Sequence, residues 1–297
     1  MYEQISSNKR KSFFLILFFL VLIFALGWFF GQITDLGSYA LIPAAIIAVL
    51  MTIGSYYGSD KIVLAVSRAR PVSKEEYPYL YNVVEGLAIA AGLPKPRCYI
   101  INDTAPNAFA SGRNPKNSVI VVTTGLLDKL NRAELEGVIA HEMSHIKNYD
   151  ILVQTLAVVM VGVVVLLSDW ILRSFFWGGG RRRSSDKQGG NAGSILIVVA
   201  LVLAVLSPLF AQLLKLAVSR KREYLADANG ALLTRYPPGL ASALKKLSAD
   251  KEPLEVANKA TAHLYIVNPL KDIKGKMNAL FSTHPPIEKR IELLENM

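Results

Sequence analysis

From Phe13 to Ile33, and again from Leu36 to Tyr57, the chain carries no charged side chain and is almost wholly apolar. About 20 such residues in a helix cross the hydrocarbon of a bilayer. The first stretch therefore reads as a transmembrane hairpin whose arms are joined at Thr34 and Asp35. The first run is too long for the apolar part of a cleaved leader and reads as a retained anchor. Two further runs follow. Ile151 to Ser168 is apolar and extends to Trp177 around Asp169 and Arg173, while Ser194 to Val218 is interrupted by Pro208 and Gln212. A Gly- and Arg-rich linker, Gly178 to Gly193, lies between them. Hydrophobic residues make up 52% of the chain, and because they come in blocks the soluble mass is less than the length implies.

The formal charge is +10, from 33 Lys and Arg against 23 Asp and Glu. The positive clusters Lys9-Arg10-Lys11, Lys61 to Arg70, Arg181-Arg182-Arg183 and Arg220-Lys221-Arg222 all border apolar blocks. That placement points to the lipid bilayer as partner and away from nucleic acid. The positive-inside rule puts both ends of the first hairpin in the cytoplasm, although Arg181-Arg182-Arg183 would then lie outside if the second pair crosses twice. The fold expected is a mainly α-helical α+β membrane protein, polytopic, with four apolar helices and a small sheet. Its divisions are an N-terminal hairpin (1–58), a first soluble part (59–150), a second hairpin (151–218) and a second soluble part (219–297).

In the soluble parts, Ser73 to Ala91 reads as a helix with Ser73 as N-cap and Glu76 at the capping-box position, ended by Gly92-Leu93-Pro94. Arg97 to Ile101 and Ser118 to Thr123 read as strands. Between them lie Asn107 to Gly112 and the turn-prone Arg113 to Asn117, and Gly125 to Leu130 is a short helical piece. Pro238 to Ala249, Pro253 to His263 and Pro285 to Met297 look like amphipathic helices. The single cysteine, Cys98, sits in an apolar run and reads as core, which excludes an intrachain disulfide and a four-cysteine metal site.

The chemistry is carried by His141-Glu142-Met143-Ser144-His145. On a helix both imidazoles project from one face and can grip one metal ion, with Glu142 one step round to hold a water. Asn131 as N-cap with Glu134 three residues on, and the stripe Leu135, Val138 and Ile139, supply that helix. A catalytic zinc needs a third protein ligand and an open position. A third histidine six residues after His145 would make the metzincin pattern, but that position is Ile151. A carboxylate on a second helix is the other solution. Glu223 and Asp227 lie four apart, one to bind metal and one to accept a proton from a ligand imidazole. Two carboxylates at this spacing repel by a few tenths of a kcal/mol unless a cation is near. Asp150 reads as an N-cap of the third apolar run, and His263 as structural.

His-Glu-Met-Ser-His at 141–145, Arg-Glu-Tyr-Leu-Ala-Asp at 222–227, Asn-Ala-Phe-Ala at 107–110 and Ser-Thr-His-Pro-Pro at 282–286 together resemble the HtpX/Ste24-like gluzincin family of membrane-bound zinc endopeptidases. The resemblance covers nearly the whole chain. It implies a peptidase domain on the cytoplasmic side of the cell membrane that cleaves membrane and misfolded proteins. His141, His145 and Glu223 would hold one Zn2+, and Glu142 would be the general base. His284 and Arg290 are implied as donors to the developing oxyanion, and Asn107 and Ala108 as an edge segment pairing with the substrate backbone. Two other readings are a peptidase for prenylated C-termini and a membrane scaffold with a structural metal. Glu142 argues against the second, because a closed structural site has no use for a base.

Overall fold

The computed structural model describes residues 2–33, 37–163, 219–257, 261–269 and 285–297. The chain opens with two long helices, α1 (Tyr2–Ile33) and α2 (Leu41–Val66), joined through a 3-10 turn at Gly37–Ala40. Gly37–Val66 is long and apolar enough to cross a membrane. The first apolar run forms most of α1, and the start of the third forms α6 (Asp150–Val163). The fourth run, the Gly- and Arg-rich linker, Asp169 and Arg173 lie outside the described residues. Phe13, Leu17 and Val21 on α1 and Ile42, Ile46, Leu50 and Ile53 on α2 are each at least 45% exposed. So many large apolar side chains on one surface suit lipid rather than water. Opposite them, Leu15, Phe19, Ile23 and Ala48 pack on Leu152, Leu156 and Met160 of α6.

The hairpin is continuous with the soluble part. The division expected at residue 58 falls inside α2, because Gly58 alone does not interrupt a helix that has no proline there. Asp60 accepts from Arg97 at 2.6 Å, and Val63 and Leu64 enter the core beneath the sheet.

Four strands form that sheet in the order β1-β2-β4-β3: β1 (Arg70–Pro71), β2 (Arg97–Ile101), β3 (Ala108–Asn114) and β4 (Asn117–Thr123). β2 runs parallel to β4, and β3 returns antiparallel on β4 as the edge strand. The stretch from Ala108, expected as connection, is thus a strand. Its small residues hid the usual β signal, and burial on both faces supplies the stability instead. Side chains alternate as a pleat requires. Cys98, Ile100, Ala108, Ala110, Ile120 and Val122 face α3 (Pro78–Ala91) and α5 (Arg132–Lys147). Phe109, Val119 and Val121 face Val63, Val158, Leu254 and Tyr265. At Gly112, φ is +136° and a Cβ would run into the Asn117 carbonyl, so the β3–β4 hairpin needs glycine there.

The helix expected from Ser73 begins at Pro78. Proline occupies the first turn, and Tyr77 before it is driven out of helical geometry (φ −131°, ψ 65°). Gly92 ends α3 in the left-handed conformation (φ +67°). A short helix, α4 (Thr124–Lys129), leads into α5. Beyond the undescribed stretch come α7 (Arg220–Thr234), α8 (Pro237–Ala249) and α9 (Ile287–Glu295). The helix expected from Pro253 is not formed at 253–257. There the backbone N–H of Leu254 goes to the Pro269 carbonyl and that of Glu255 to Asp103 Oδ2, so tertiary acceptors replace the helical ones.

Candidate metal centre

α5 starts as its sequence directs. Asn131 Oδ1 accepts from the Glu134 N–H (3.0 Å), and Glu134 Oε2 accepts from the Asn131 N–H (2.8 Å), closing a capping box. The same carboxylate accepts from Ser242 (2.7 Å) and Lys246 (2.7 Å), so the cap also fixes α8 to α5. Glycines bring the backbones together. A Cβ on Gly137 would stand 2.7 Å from the Leu240 nitrogen, and one on Gly230 3.0 Å from the His141 nitrogen. The second approach lays α7 across α5 with Glu223 and Asp227 against the histidines.

His141, His145 and Glu223 converge there, each no more than 5% exposed. Their ligand atoms all lie within 4.8 Å of one another. The two Nε2 atoms are 3.1 Å apart, and Glu223 oxygens stand 3.7 Å from His141 Nε2 and 3.6 Å from His145 Nε2. Ligands about 2.0–2.1 Å from a tetrahedral zinc sit about 3.3 Å from each other, so the spacing fits one such ion. Two imidazoles and one carboxylate are also a donor set suited to zinc and leave a position open.

Each imidazole is held from behind. His141 Nδ1 faces Asp227 Oδ1 at 2.9 Å. His145 Nδ1 faces Asp150 Oδ2 at 3.0 Å. With carboxylates at both Nδ1 atoms, both Nε2 atoms face the Glu223 carboxylate. Asp150, expected as a cap, is the residue the sequence reading missed. It sits beyond a turn at Tyr149, whose left-handed φ of +60° costs a non-glycine residue about 1 kcal/mol or more. The chain bends by 82° there between α5 and α6. Only that bend returns the Asp150 carboxylate to α5, where Arg222 Nη1 also reaches it at 3.2 Å.

Arg290, expected as a donor to the developing oxyanion, is 1% exposed, and its Nη1 stands 4.0 Å from Glu223 Oε2. Its Nε and Nη2 fork onto Asp227 (2.8 and 2.7 Å), and Nη1 donates to the Ile266 carbonyl (3.0 Å). Two buried carboxylates on one helix face need a buried cation, and α9 supplies it. Burial would raise the Asp227 carboxyl, but the Arg290 guanidinium outweighs it and holds the group well below the usual carboxylate range. Glu142, 2% exposed, has its carboxyl pushed up by burial, opposed by His141 and His145. A carboxylate tuned upward beside a metal site suits proton transfer near neutral pH.

Asn107 and Ala108 lie at the start of the edge strand, but their hydrogen-bonding groups are engaged. The Ala108 carbonyl accepts from Ile266 N–H (3.0 Å), and Asn107 Nδ2 donates to the Val267 carbonyl (3.0 Å). His284 lies outside the described residues. His263 is buried, with Nε2 3.4 Å from the Gln154 carbonyl, and is not among the side chains that converge with His141 and His145. Cys98 is buried, and burial lifts its thiol to about 11.

The description "Peptidase family M48" matches residues 74–297. The chain is 52% identical over 296 residues to a protease HtpX homolog of Dictyoglomus thermophilum, covering 100% of this chain and 94% of that one. It is 46% identical to the homolog of Thermoanaerobacter pseudethanolicus, covering 100% of this chain and 98% of that one. It is also 46% identical to that of Listeria monocytogenes, covering both in full. In fold it is similar to the crystal structure of S. mikatae Ste24p, with a TM-score of 0.50 at 20% identity, over 99% of this chain and 67% of that one.

Proposed function

Because the chain belongs to peptidase family M48 and is a metalloprotease of the membrane, we propose that it is a zinc endopeptidase whose active site faces the cytoplasm. The observation that carries this is the meeting of His141, His145 and Glu223 at tetrahedral spacing with Glu142 beside them. In this reading one Zn2+ is held by those three side chains, and Asp150 and Asp227 set the orientation of the imidazoles. When bound, the ion lowers the pKa of water to about 7 and polarises the scissile carbonyl. Glu142 takes a proton from the attacking water and delivers it to the leaving amine, so one carboxyl serves as base and then as acid. Its raised pKa makes the second role easier. Arg290 acts through Asp227, as its clamp, and His284 is the donor assigned to the oxyanion.

Substrates are unfolded segments of membrane and misfolded proteins, in a quality-control role at the cell membrane. Two features support this. β3 is an edge strand beside α5, and an extended peptide can add to such an edge by main-chain hydrogen bonds, with little sequence preference. At Asn107 and Ala108 the addition requires Ile266 and Val267 to yield their bonds. The hairpin and α6 also pack directly against the peptidase core, which keeps the site near the bilayer. Four spans, with both soluble parts on the cytoplasmic side, complete the architecture.

The test is metal analysis with a peptide-cleavage assay on purified full-length protein. Glu142→Gln should keep its zinc and lose cleavage by about a hundredfold or more. Glu223→Ala should lose both. A Glu142→Gln enzyme that cleaves like wild type removes the assigned base, and unchanged zinc in Glu223→Ala removes the assigned ligand.

A further inference from the structure

We infer that Asn8, on the first membrane helix, is a positioning residue for the metal ligand His145, so that the hairpin forms part of the catalytic scaffold. This rests on the metal-site reading above. Asn8 is 1% exposed and lies 142 residues from Asp150 in sequence. Its Nδ2 donates to the Asn148 carbonyl at 2.8 Å and to Asp150 Oδ1 at 2.7 Å. The other carboxylate oxygen of Asp150 faces His145 Nδ1 at 3.0 Å. A continuous chain of contacts thus runs from α1 through Asp150 to the imidazole whose Nε2 points to the ion.

The orientation of the amide is settled by its neighbours. Both groups it meets are acceptors, and its own Oδ1 has no hydrogen-bond partner. Turned over, it would set a carbonyl against two acceptors. The neighbouring residue grips the same turn, with Lys9 Nζ 4.7 Å from the centroid of the Tyr149 ring. The division of labour at Asp150 follows from charge. Arg222, 3.2 Å from Oδ1, neutralises the carboxylate. Asn8 carries no charge, so what it adds to the hydrogen bond from Arg222 on the same oxygen is a second restraint on the rotation of the carboxylate. A carboxylate held on Oδ1 by Arg222 alone fixes the ring behind which it sits less firmly. Outer partners of this kind are worth about 10–100-fold in metal affinity. Asn8 acts one bond further out, so the lower end applies.

The experiment uses the full-length protein in detergent and compares wild type with Asn8→Leu, which keeps the branched side-chain shape and removes the donor. Ser12→Ala is the control. Ser12 is buried one turn along α1, and its hydroxyl donates to the Asn8 carbonyl at 2.9 Å without reaching Asp150. Zn2+ affinity is read by chelator competition, ligand geometry by the visible absorption of the Co2+-substituted protein, and packing by thermal unfolding of the metal-free form. Asn8→Leu should weaken Zn2+ about tenfold and alter the Co2+ spectrum. Ser12→Ala should lower only the unfolding temperature. Asn8→Gln, which retains the amide, should recover part of the affinity. Wild-type affinity and spectrum in Asn8→Leu overturn the assignment, whatever happens to stability. If that variant does not fold, Asn8→Ala takes its place, and wild-type affinity and spectrum there overturn the assignment equally. A wild-type protein that binds no metal tightly removes the metal-site reading first and this one with it.

Discussion

Gly230→Ala sets two calculable effects against each other. In a helix interior, alanine is favoured over glycine by about 1 kcal/mol. On that ground alone the substitution stabilises α7. The added methyl, however, would lie 3.0 Å from the His141 nitrogen, 3.3 Å from its Cα and 3.4 Å from the Ala140 carbonyl carbon. Comfortable contacts are about 3.5–4.0 Å, so α7 must retreat by about half an ångström. All three neighbours are backbone of the motif helix and cannot swing aside. Overpacking of this kind costs about 1–3 kcal/mol, so the net effect should run from near zero to about 2 kcal/mol of destabilisation. The larger consequence is at the metal. Coordination distances tolerate about 0.2 Å, and a retreat of half an ångström carries Glu223 and Asp227 away from both imidazoles. An affinity loss of about tenfold, or 1.4 kcal/mol, is expected. Gly86→Ala is the matched control, since Gly86 is exposed in α3 and nothing lies within 4 Å of its added Cβ. It should stabilise the protein by about 0.5–1 kcal/mol and leave the metal alone. Denaturant unfolding of the metal-free protein and Zn2+ competition measure both quantities. If Gly230→Ala is as stabilising as Gly86→Ala and binds zinc as tightly as wild type, the close approach of the two helices does not set the site.

Two further outcomes follow from the charges. Arg290→Ala leaves Asp227 as a buried carboxylate without its clamp, and should cost about 3–5 kcal/mol in denaturant unfolding; Arg290→Lys should recover only part, because an ammonium cannot fork onto two oxygens, and full recovery would show that charge alone suffices. In metal-free protein, burial opposes charging of His145, but Glu223 and Asp150 outweigh it and raise its pKa to about 9. An unfolded histidine titrates near 6.5, so this group's contribution to stability is complete below about pH 6.5 and is lost as pH rises through about 9. Thermal unfolding in EDTA should therefore come at lower temperature at pH 9.5 than at 6.5, and zinc affinity, which must displace that proton, should rise over the same window; a flat affinity profile would contradict a protonated His145.

What was legible in the sequence was local. The capping box of Asn131 and Glu134, the two histidines one turn apart, and the carboxylates at 223 and 227 are all periodic signals within one helix. Their geometry follows from 3.6 residues per turn wherever the helix ends up. The strand from Ala108 to Asn114 was hidden because Ala, Ser and Gly carry little β preference. Their smallness serves packing against α5, which propensity does not register. Asp150 was hidden for a different reason. Its role depends on Tyr149 adopting a positive φ, which no tyrosine announces, and on the 82° bend that follows. In the sequence Arg290 reads as a donor to the substrate, since only the tertiary fold shows that Asp227 and Glu223 on α7 surround its guanidinium. Glu223 and Asp227 posed the electrostatic question in the sequence, and the answer lay 63 residues beyond Asp227.

The contact between α5 and α7 also constrains topology. His141 and Glu223 lie on either side of the stretch 164–218, yet His141 Nε2 and a Glu223 oxygen stand 3.7 Å apart. On the membrane reading proposed above, residues 147 and 220 would lie on one side of the bilayer, with even parity between them. Single cysteines test this, because the native Cys98 is 4% exposed and its thiol is raised to about 11, so it stays silent toward a maleimide. Lys116→Cys, on the exposed β3–β4 turn, and Met297→Cys, at an end that is 63% exposed, should react from the same face. Ser38→Cys, in the exposed turn between α1 and α2, should react from the other. In intact cells a membrane-impermeant reagent should reach only Ser38→Cys. Labelling of positions 116 and 297 from outside would reverse the proposed orientation and leave the parity intact. Labelling of those two from opposite faces would mean that α5 and α7 never meet in the membrane, and no single ion could then bind both histidines and Glu223.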